Sequence, residues 1–572
     1  MINVLAILVA FSILAMHVWR RAYPRPYKDV PYDKQSASRL FGDIPDMIKF
    51  AKEGNDPDQF IPHRCRQLNS PIIQLFLAPF SSPLIFVDDV GEVENIVFNR
   101  TKRLDRAPIT INAFLPLFPF SSILKRTTPE WRAQRRLWKD TMSNDFLRHI
   151  AAPQMYETAM QLVDLFQLKI RIGDGRPFSV RTDFNLTALD VIWPALLGSE
   201  LHGIRDEICG MRNHDGSIQQ PVSKDCPAAM PSVVKGDLYQ AIQYLGNTLQ
   251  FNLASPLPGW YNWLLRRLPT YKRCWTLKEK TINGLIQSAR ARFNRSCQTD
   301  GTRPCAIDMV LQKEQSAITR PNASAFVIPP TDLEIHDELF MLLLAGHETT
   351  AITLCWCAKF LTNNPAAQEK LRESLRTALP RENPPTLEDI LNTDMPYFDA
   401  TLEECIRLAD IFPRVVRVAL DDMEILGHDI PKGAQIMCTT SVSANTLREY
   451  RRGGTNSNQE DKKQPDSETD SRESMHLFSP ERWLNHAGAF NPRALHRMAF
   501  SGGPRGCFGK RFAMQELRII LAVLVMKFRF ESIPAQLNSM RSDPGALREP
   551  RQTFVRLTNL AWDDTDERVE SA

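Results

Sequence analysis

The chain lacks a dominant charge sign, paired cysteines and any basic residue ahead of its first apolar run. Its 70 Lys and Arg stand against 66 Asp and Glu, a formal net charge of +4 over 572 residues. That is too small an excess to indicate a nucleic-acid partner. The 11 cysteines are scattered without paired spacing. A disulfide framework is excluded, and a reducing compartment fits. Cys355 and Cys357 are two apart in an apolar helical run. Residues two apart do not share a helix face, so both read as core residues. What is present is ordinary globular material, 43% hydrophobic and 24% charged, ample for a large core.

Met1 to Trp19 is apolar except for Asn3, Ser12 and His17. As a helix it would span about 28 Å, against a hydrocarbon core of about 30 Å. Arg20, Arg21 and Arg25 follow it, and a small-residue cleavage site is missing. A signal peptide has the opposite charge asymmetry. The expectation is a single-pass anchor over 1–20, with the body in the cytosol by the positive-inside rule. Residues 21–45, with Pro24, Pro26 and Pro31, read as a stiff linker entering a body over 46–572. In a cytosolic body the N-x-S/T triplets at Asn99, Asn185, Asn294 and Asn322 would stay unmodified.

The body reads as mainly α with a minor β region. Pro71 to Leu77 and Leu84 to Val87 read as strands, and Glu92 to Asn99 as a short helix. Ala107 to Ile123 is an apolar, proline-broken stretch without a period, expected to be a loop. Helical patterns occupy Pro153–Lys169, Leu186–Leu197, Leu277–Phe293 and Thr331–Thr362, the last the longest. Asn364-Pro365 and Met395-Pro396 open two more. Asp206 to Val234 reads as a polar surface loop, and Ile411 to Val418 as a strand. Trp260, Trp263, Leu264 and Leu268 fit either a membrane-dipping patch or the core. The polar run over 449–474 cannot bury enough apolar area to order itself and is expected to be a disordered insertion.

Four local constellations carry chemistry. In Phe500-Ser-Gly-Gly-Pro-Arg505-Gly-Cys507-Phe-Gly509, a cysteine lies behind a glycine-rich loop and ahead of a helical run, Lys510 to Phe528. The positive end of that helix should lower the thiol pKa. Gly503, Gly506 and Gly509 let the backbone pass close to something flat, and Pro504 stiffens the loop. Such a sulfur is a nucleophile or a metal ligand; without a second cysteine nearby it is not a zinc site. Phe500 could cover it. Thr128 is an N-cap for a helix in which Trp131 and Arg135, four apart, form a clamp for a carboxylate. Ala345-Gly346-His347-Glu348-Thr349-Thr350 is a polar notch in an apolar helix. Its glycine costs about 1 kcal/mol relative to alanine, and a Thr349 hydroxyl bonded to the Ala345 carbonyl would open the helix locally. Glu404 and Arg407, three apart, can pair.

The first of these, F-x-x-G-x-R-x-C-x-G, resembles the haem-binding loop of cytochromes P-450, the haem-thiolate monooxygenases. Phe500, Gly503, Arg505, Cys507 and Gly509 meet its defining positions. W-x-x-x-R, A-G-x-E/D-T-T, E-x-x-R and P-E-R-W (Pro480 to Trp483) stand in the family's order. The resemblance implies the haem-thiolate fold behind an N-terminal transmembrane helix, with haem b (iron protoporphyrin IX) held by Cys507 as metal ligand. It implies that Trp131 and Arg135 bind a propionate, with Arg417 the best candidate for a further contact. Ala345, Gly346, Phe500, Gly503, Arg505 and Gly509 would complete the cofactor site. Thr349 and Glu348 would handle protons, and His347 would face protein or substrate. Glu404, Arg407 and Arg482 would form a structural lock. The implied reaction inserts one oxygen atom of O2 into a lipophilic small molecule of secondary metabolism. Electrons would come from NADPH through NADPH–cytochrome P-450 reductase, with cytochrome b5 as a further donor, at the endoplasmic reticulum membrane. Two alternatives stand beside it: a reductase-independent haem-thiolate isomerase or dehydratase, and a membrane-anchored haem-binding protein without enzyme activity.

Overall fold

The computed structural model describes residues 11–561, apart from 12, 14–15, 18, 215–217, 256–257, 295–304, 320–330, 381–383, 441–474, 496–497 and 544. Helices α1 (Ile44–Lys52) and α2 (Phe60–Gln67) precede a hairpin of β1 (Ile72–Leu75) and β2 (Leu84–Val87). All residues of both strands are buried, which is why they read as unbroken apolar runs. After β3 (Leu104–Arg106) the chain is largely helical: α3 (Pro108–Phe114), α4 (Pro129–Leu137) and α5 (Ala152–Gly173). A short β4 (Phe178–Ser179) leads to α6 (Arg181–Leu197), α7 (Gly203–Arg212), α8 (Asp237–Ala254), α9 (Pro258–Leu265), α10 (Pro269–Asn294) and α11 (Ala306–Thr319). Then come α12 (Asp332–Asn363), α13 (Pro365–Ala378), α14 (Leu387–Asn392) and α15 (Pro396–Ala409). Strands β5 (Arg414–Ala419) and β8 (Gln435–Thr439) flank a hairpin of β6 (Met423–Ile425) and β7 (His428–Ile430). The last helix, α16 (Lys510–Lys527), runs into β9 (Phe528–Glu531), a hairpin of β10 (Ser542–Asp543) and β11 (Glu549–Pro550), and β12 (Phe554–Asn559).

The main sheet has the order β1-β2-β8-β5-β3, and β4-β12-β9 form a second. The fold is therefore mainly α with a minor β region. Helix α12 crosses the middle of the body. A capping box of Thr331 and Glu334 starts it, and Phe340, Leu343, Trp356 and Leu361 bury its faces. It is long and apolar enough to cross a membrane, but 78% of its most apolar window is buried inside the body, so it is the core helix. Cys355 and Cys357 are both buried there.

Of the anchor expected over 1–20, residues 1–10, 12, 14–15 and 18 lie outside the described ones. The described residues between 11 and 22 are helical, and Phe11, Ile13, Met16 and Trp19 are more than half exposed. The expected insertion, 449–474, also lies outside the described residues.

Three expectations change. The stretch from Ala107 is not all loop: Pro108 starts α3, where its missing N–H costs nothing. Phe114 and Phe118 then seat the segment, with Phe118 against Phe340 of α12. Asp206–Arg212 is helix, not loop. The cap of α7 comes from another element: Asp190 of α6 accepts the Gly203 and Ile204 N–H groups at 2.9 and 2.8 Å. The strand expected from Ile411 begins at Arg414. Trp260, Trp263, Leu264 and Leu268 are surface residues, 70%, 50%, 57% and 47% exposed.

The lock forms as expected. Fully buried Glu404 accepts from Arg407 (2.8 Å), Arg482 (2.9 Å), the Trp483 indole (2.9 Å) and the Ser479 N–H (3.0 Å).

Candidate active site

A cavity of about 270 Å³ opens between α12 and the start of α16. Met341, Leu342, Ala345, Gly346, Thr349 and Thr350 form one wall, following the three- and four-residue spacing of one helix face. Phe500, Arg505 to Gly509, Phe512 and Ala513 form the opposite wall. Trp131 and Arg135 of α4, Arg106, Ser122, Ile123, and Ile192 and Leu196 of α6 close the sides.

The Cys507 N–H donates to the Phe500 carbonyl at 2.9 Å, which closes the loop. Gly506 and Gly509 line the cavity, and Gly509 has open space where a Cβ would stand. Gly503 serves the loop instead. It has φ +61°, and a Cβ there would lie 2.4 Å from the Val97 carbonyl oxygen. The exposure of Cys507 is to the cavity, with protein around the rest of the residue. Burial pushes its thiol up, against the pull of the Gly509 N–H, Arg135 and Lys510. The expected lowering is reversed because desolvation outweighs the helix end.

Arginines gather at one side of the cavity. Arg135 lies 4.2 Å from the Phe508 ring centroid and 5.8 Å from that of Trp131; Arg505 lies 4.1 Å from the Trp131 ring centroid. Arg505 donates to Asp105 (3.1 Å), Thr127 Oγ1 (3.0 Å) and the Lys125 carbonyl (2.7 Å). Its Nη1 and the Arg106 Nε are buried without a hydrogen-bond partner among the described residues. Burial pulls Arg106 down to about 9, helped by Arg505, Arg417 and Arg135, with Asp105 opposing. Arg505 falls to about 10, again through burial. This edge is short of negative charge and of acceptors. Arg417 pairs with Arg106 across β3 and β5, but it does not line this cavity; it lines a small adjoining pocket with Thr127 and Arg505. Arg106 was missed in the sequence because only the strand register carries it to the wall.

In the notch the Thr349 hydroxyl donates to the Ala345 carbonyl at 2.8 Å, as the sequence indicated. Glu348 does not line the cavity. One residue is about 100° of helix turn, which carries Glu348 round to α8. A Cβ on Gly246 of α8 would lie 2.6 Å from Glu348 Oε1, and Gln250 Nε2 is 3.5 Å from Oε2. Burial pushes this carboxyl up to about 7. His347 faces protein, with Nδ1 2.9 Å from the Leu343 carbonyl and Nε2 3.3 Å from Gln243. Burial lowers it to about 4, so it is neutral at physiological pH.

A helical fold with a cysteine and a threonine facing each other across a cavity defines a class, and the comparisons agree. The cytochrome P450 family model matches residues 54–450 and 476–557. The chain belongs to the cytochrome P450 family of monooxygenases. It is 32% identical to cytochrome P450 monooxygenase GME11363 of Pestalotiopsis microspora, over 97% of this chain and 98% of that protein. It is 28% identical to cytochrome P450 monooxygenase TRI13 of Fusarium sporotrichioides, over 97% and 98%. A solved zebrafish cytochrome P450 structure with abiraterone matches at TM-score 0.59 and 19% identity, covering 90% of this chain and all of that one. That match shows the fold. The family implies a haem cofactor. The cavity suits one on three counts: a sulfur on one wall, bare Gly509 beside it, and unpartnered guanidinium N–H groups at one side that carboxylates would satisfy.

Proposed function

We propose that the chain is a haem b monooxygenase acting on a lipophilic small molecule of secondary metabolism. Cys507 is its metal ligand, and Arg106, Trp131, Arg135 and Arg505 hold the cofactor's carboxylates. The observation that carries this reading is the pairing of Cys507 with unpartnered arginine N–H groups around one cavity. When bound, haem with a thiolate ligand supplies dioxygen activation, because the thiolate favours O–O cleavage. The chain's own residues do the rest. Phe500 and Phe512 shield the sulfur side from water. Ile123, Ile192, Leu196, Met341 and Leu342 give the cavity apolar walls, which favour a lipophilic substrate. Thr349, with its hydrogen on the Ala345 carbonyl, presents Oγ1 to the cavity as an acceptor that can hold the proton of a water there.

Residues 1–20 act as a single-pass anchor in the endoplasmic reticulum membrane, 21–45 as a linker, and 46–572 as the cytosolic catalytic domain with an insertion at 449–474. The exposed apolar side chains of 11–19 and of Trp260, Trp263, Leu264 and Leu268 support a membrane-facing side. The break in the family match between 450 and 476 supports the insertion. Electrons come from NADPH through a membrane-bound reductase, as the family commonly uses, with cytochrome b5 as a second donor.

The test is the carbon monoxide difference spectrum of the reduced, purified chain. The thiolate-type Soret shift is expected in wild type and absent in Cys507→Ala. A wild-type protein that takes up haem without that shift overturns the assignment. A screen of lipophilic ligands for spectral shifts then narrows the substrate.

A further inference from the structure

Glu516 is the one charged side chain among the buried residues of α16. It lies four residues after Phe512 and three after Ala513, both of which line the cavity, so it sits on the same helix face one turn further on. It is 0% exposed. Its Oε1 has no hydrogen-bond partner among the described residues, and its Oε2 meets one group, the Thr350 hydroxyl at 3.2 Å. Thr350 belongs to α12, lines the cavity, and follows Thr349 directly.

The Thr350 oxygen also lies 3.0 Å from the Gly346 carbonyl. A hydroxyl has one hydrogen. With an ionised carboxylate, two acceptors would compete for that hydrogen and one contact would go unmade. With a neutral carboxyl, both Thr350 contacts are made: the acid O–H donates to Thr350 Oγ1, and the Thr350 hydrogen goes to the Gly346 carbonyl. Burial without a cation partner favours the same state, raising this carboxyl well above its usual range.

We propose that Glu516 is a positioning residue of the candidate site: through Thr350 it fixes the cysteine-side helix against the notch that presents Thr349. The chain of bonds runs from the helix that starts behind Cys507 to the Gly346 carbonyl, on the turn that carries Thr349. Loss of the bond frees the Thr350 hydroxyl and loosens the neighbouring Thr349 relative to the sulfur wall. Electrons then leave as hydrogen peroxide instead of reaching substrate. This second consequence rests on the haem reading; the neutral acid and its bond to Thr350 do not.

The experiment uses the full-length chain and three variants, Glu516→Gln, Glu516→Leu and Thr350→Val. Infrared difference spectra at neutral pH are expected to show the C=O stretch of a protonated carboxyl in wild type that vanishes in Glu516→Gln and shifts in Thr350→Val. In the reductase-reconstituted holoenzyme, Glu516→Leu and Thr350→Val should raise peroxide released per NADPH by roughly fivefold, as loss of one hydrogen bond predicts. Glu516→Gln keeps a donor, so it should stay within about twofold of wild type. Should Glu516→Leu fail to fold, Thr350→Val carries the same reading. No carboxyl band lost in Glu516→Gln overturns the proposal. So does equal leakage from Glu516→Gln and Thr350→Val, or wild-type behaviour of Thr350→Val. A wild-type chain that binds no haem defeats the proposed function instead and leaves the infrared result standing.

Discussion

Two buried arginine clusters in this protein invite comparison. Around Glu404, Arg407 and Arg482 converge on one carboxylate, and Trp483 and Ser479 add donors to it. Around Arg106, Arg135 and Arg505 the balance is reversed: several guanidiniums share Asp105, and the Nη1 of Arg505 and Nε of Arg106 have no acceptor among the described residues. Both clusters are largely buried; motifs supply Arg407 and Arg482 to the first, but only Arg135 and Arg505 to the second, where strand register adds Arg106. The first is complete, so it holds the fold. The second is incomplete among the described residues and faces a cavity, which is what the proposal that it holds carboxylates rests on. Satisfaction of hydrogen bonds, rather than charge or burial, separates a brace from a site.

The sharpest way to break this contrast is Glu404→Ala. It strands two buried guanidiniums, and the loss should be about 3–5 kcal/mol of stability, read by denaturant unfolding. A midpoint close to wild type would mean the cluster braces nothing.

Glu348 comes next, because among the described residues its buried carboxyl has a single long hydrogen bond, from Gln250, and burial pushes it up to about 7. The folded chain keeps a proton that an unfolded glutamate releases above about 4.3. Stability from this group is therefore lost as pH rises from about 4.3 towards 7 and is level beyond. Glu348→Gln removes that loss. Its advantage over wild type should grow across the window to on the order of 3 kcal/mol. Parallel stability curves for the two proteins would refute the assignment.

A smaller effect is expected at the incomplete cluster. Arg106→Leu should leave the haem-free protein as stable as wild type, since its buried Nε bonds nothing among the described residues. Haem retention, measured by transfer to a scavenging apoprotein, should fall about 10-fold or more, the value of one charged hydrogen bond. A destabilised apoprotein with unchanged haem retention would place Arg106 with the braces. Smallest of all is the exposed pair Arg103 and Asp421, 3.0 Å apart and about half exposed on both sides. Asp421→Asn should change stability by about 0–1 kcal/mol, and a larger loss would show that exposure does not discriminate these networks.

Local patterns made much of this legible. The spans of α5, α12 and α16 follow apolar spacing within one segment, and Thr128 and Thr331 cap their helices as capping chemistry requires. Trp131 with Arg135, Thr349 with Ala345, and the Phe500–Gly509 loop are likewise contained within ten residues. What escaped notice depends on distant partners. Helix α7 looked like loop because its cap is Asp190 in another helix. Which neighbours Glu348 meets, Gly246 and Gln250 of α8, its motif does not say.

By itself the sequence determined the helical body, the cysteine loop, the clamp and the threonine notch, since each is encoded by neighbours along the chain. Only the tertiary structure decided that Arg106 joins the cavity wall, that Arg417 lines the adjoining pocket, that Glu348 turns to α8, and that Glu516 reaches Thr350. Those outcomes are set by strand register and helix crossing, which join residues up to hundreds of positions apart and leave no mark on local spacing.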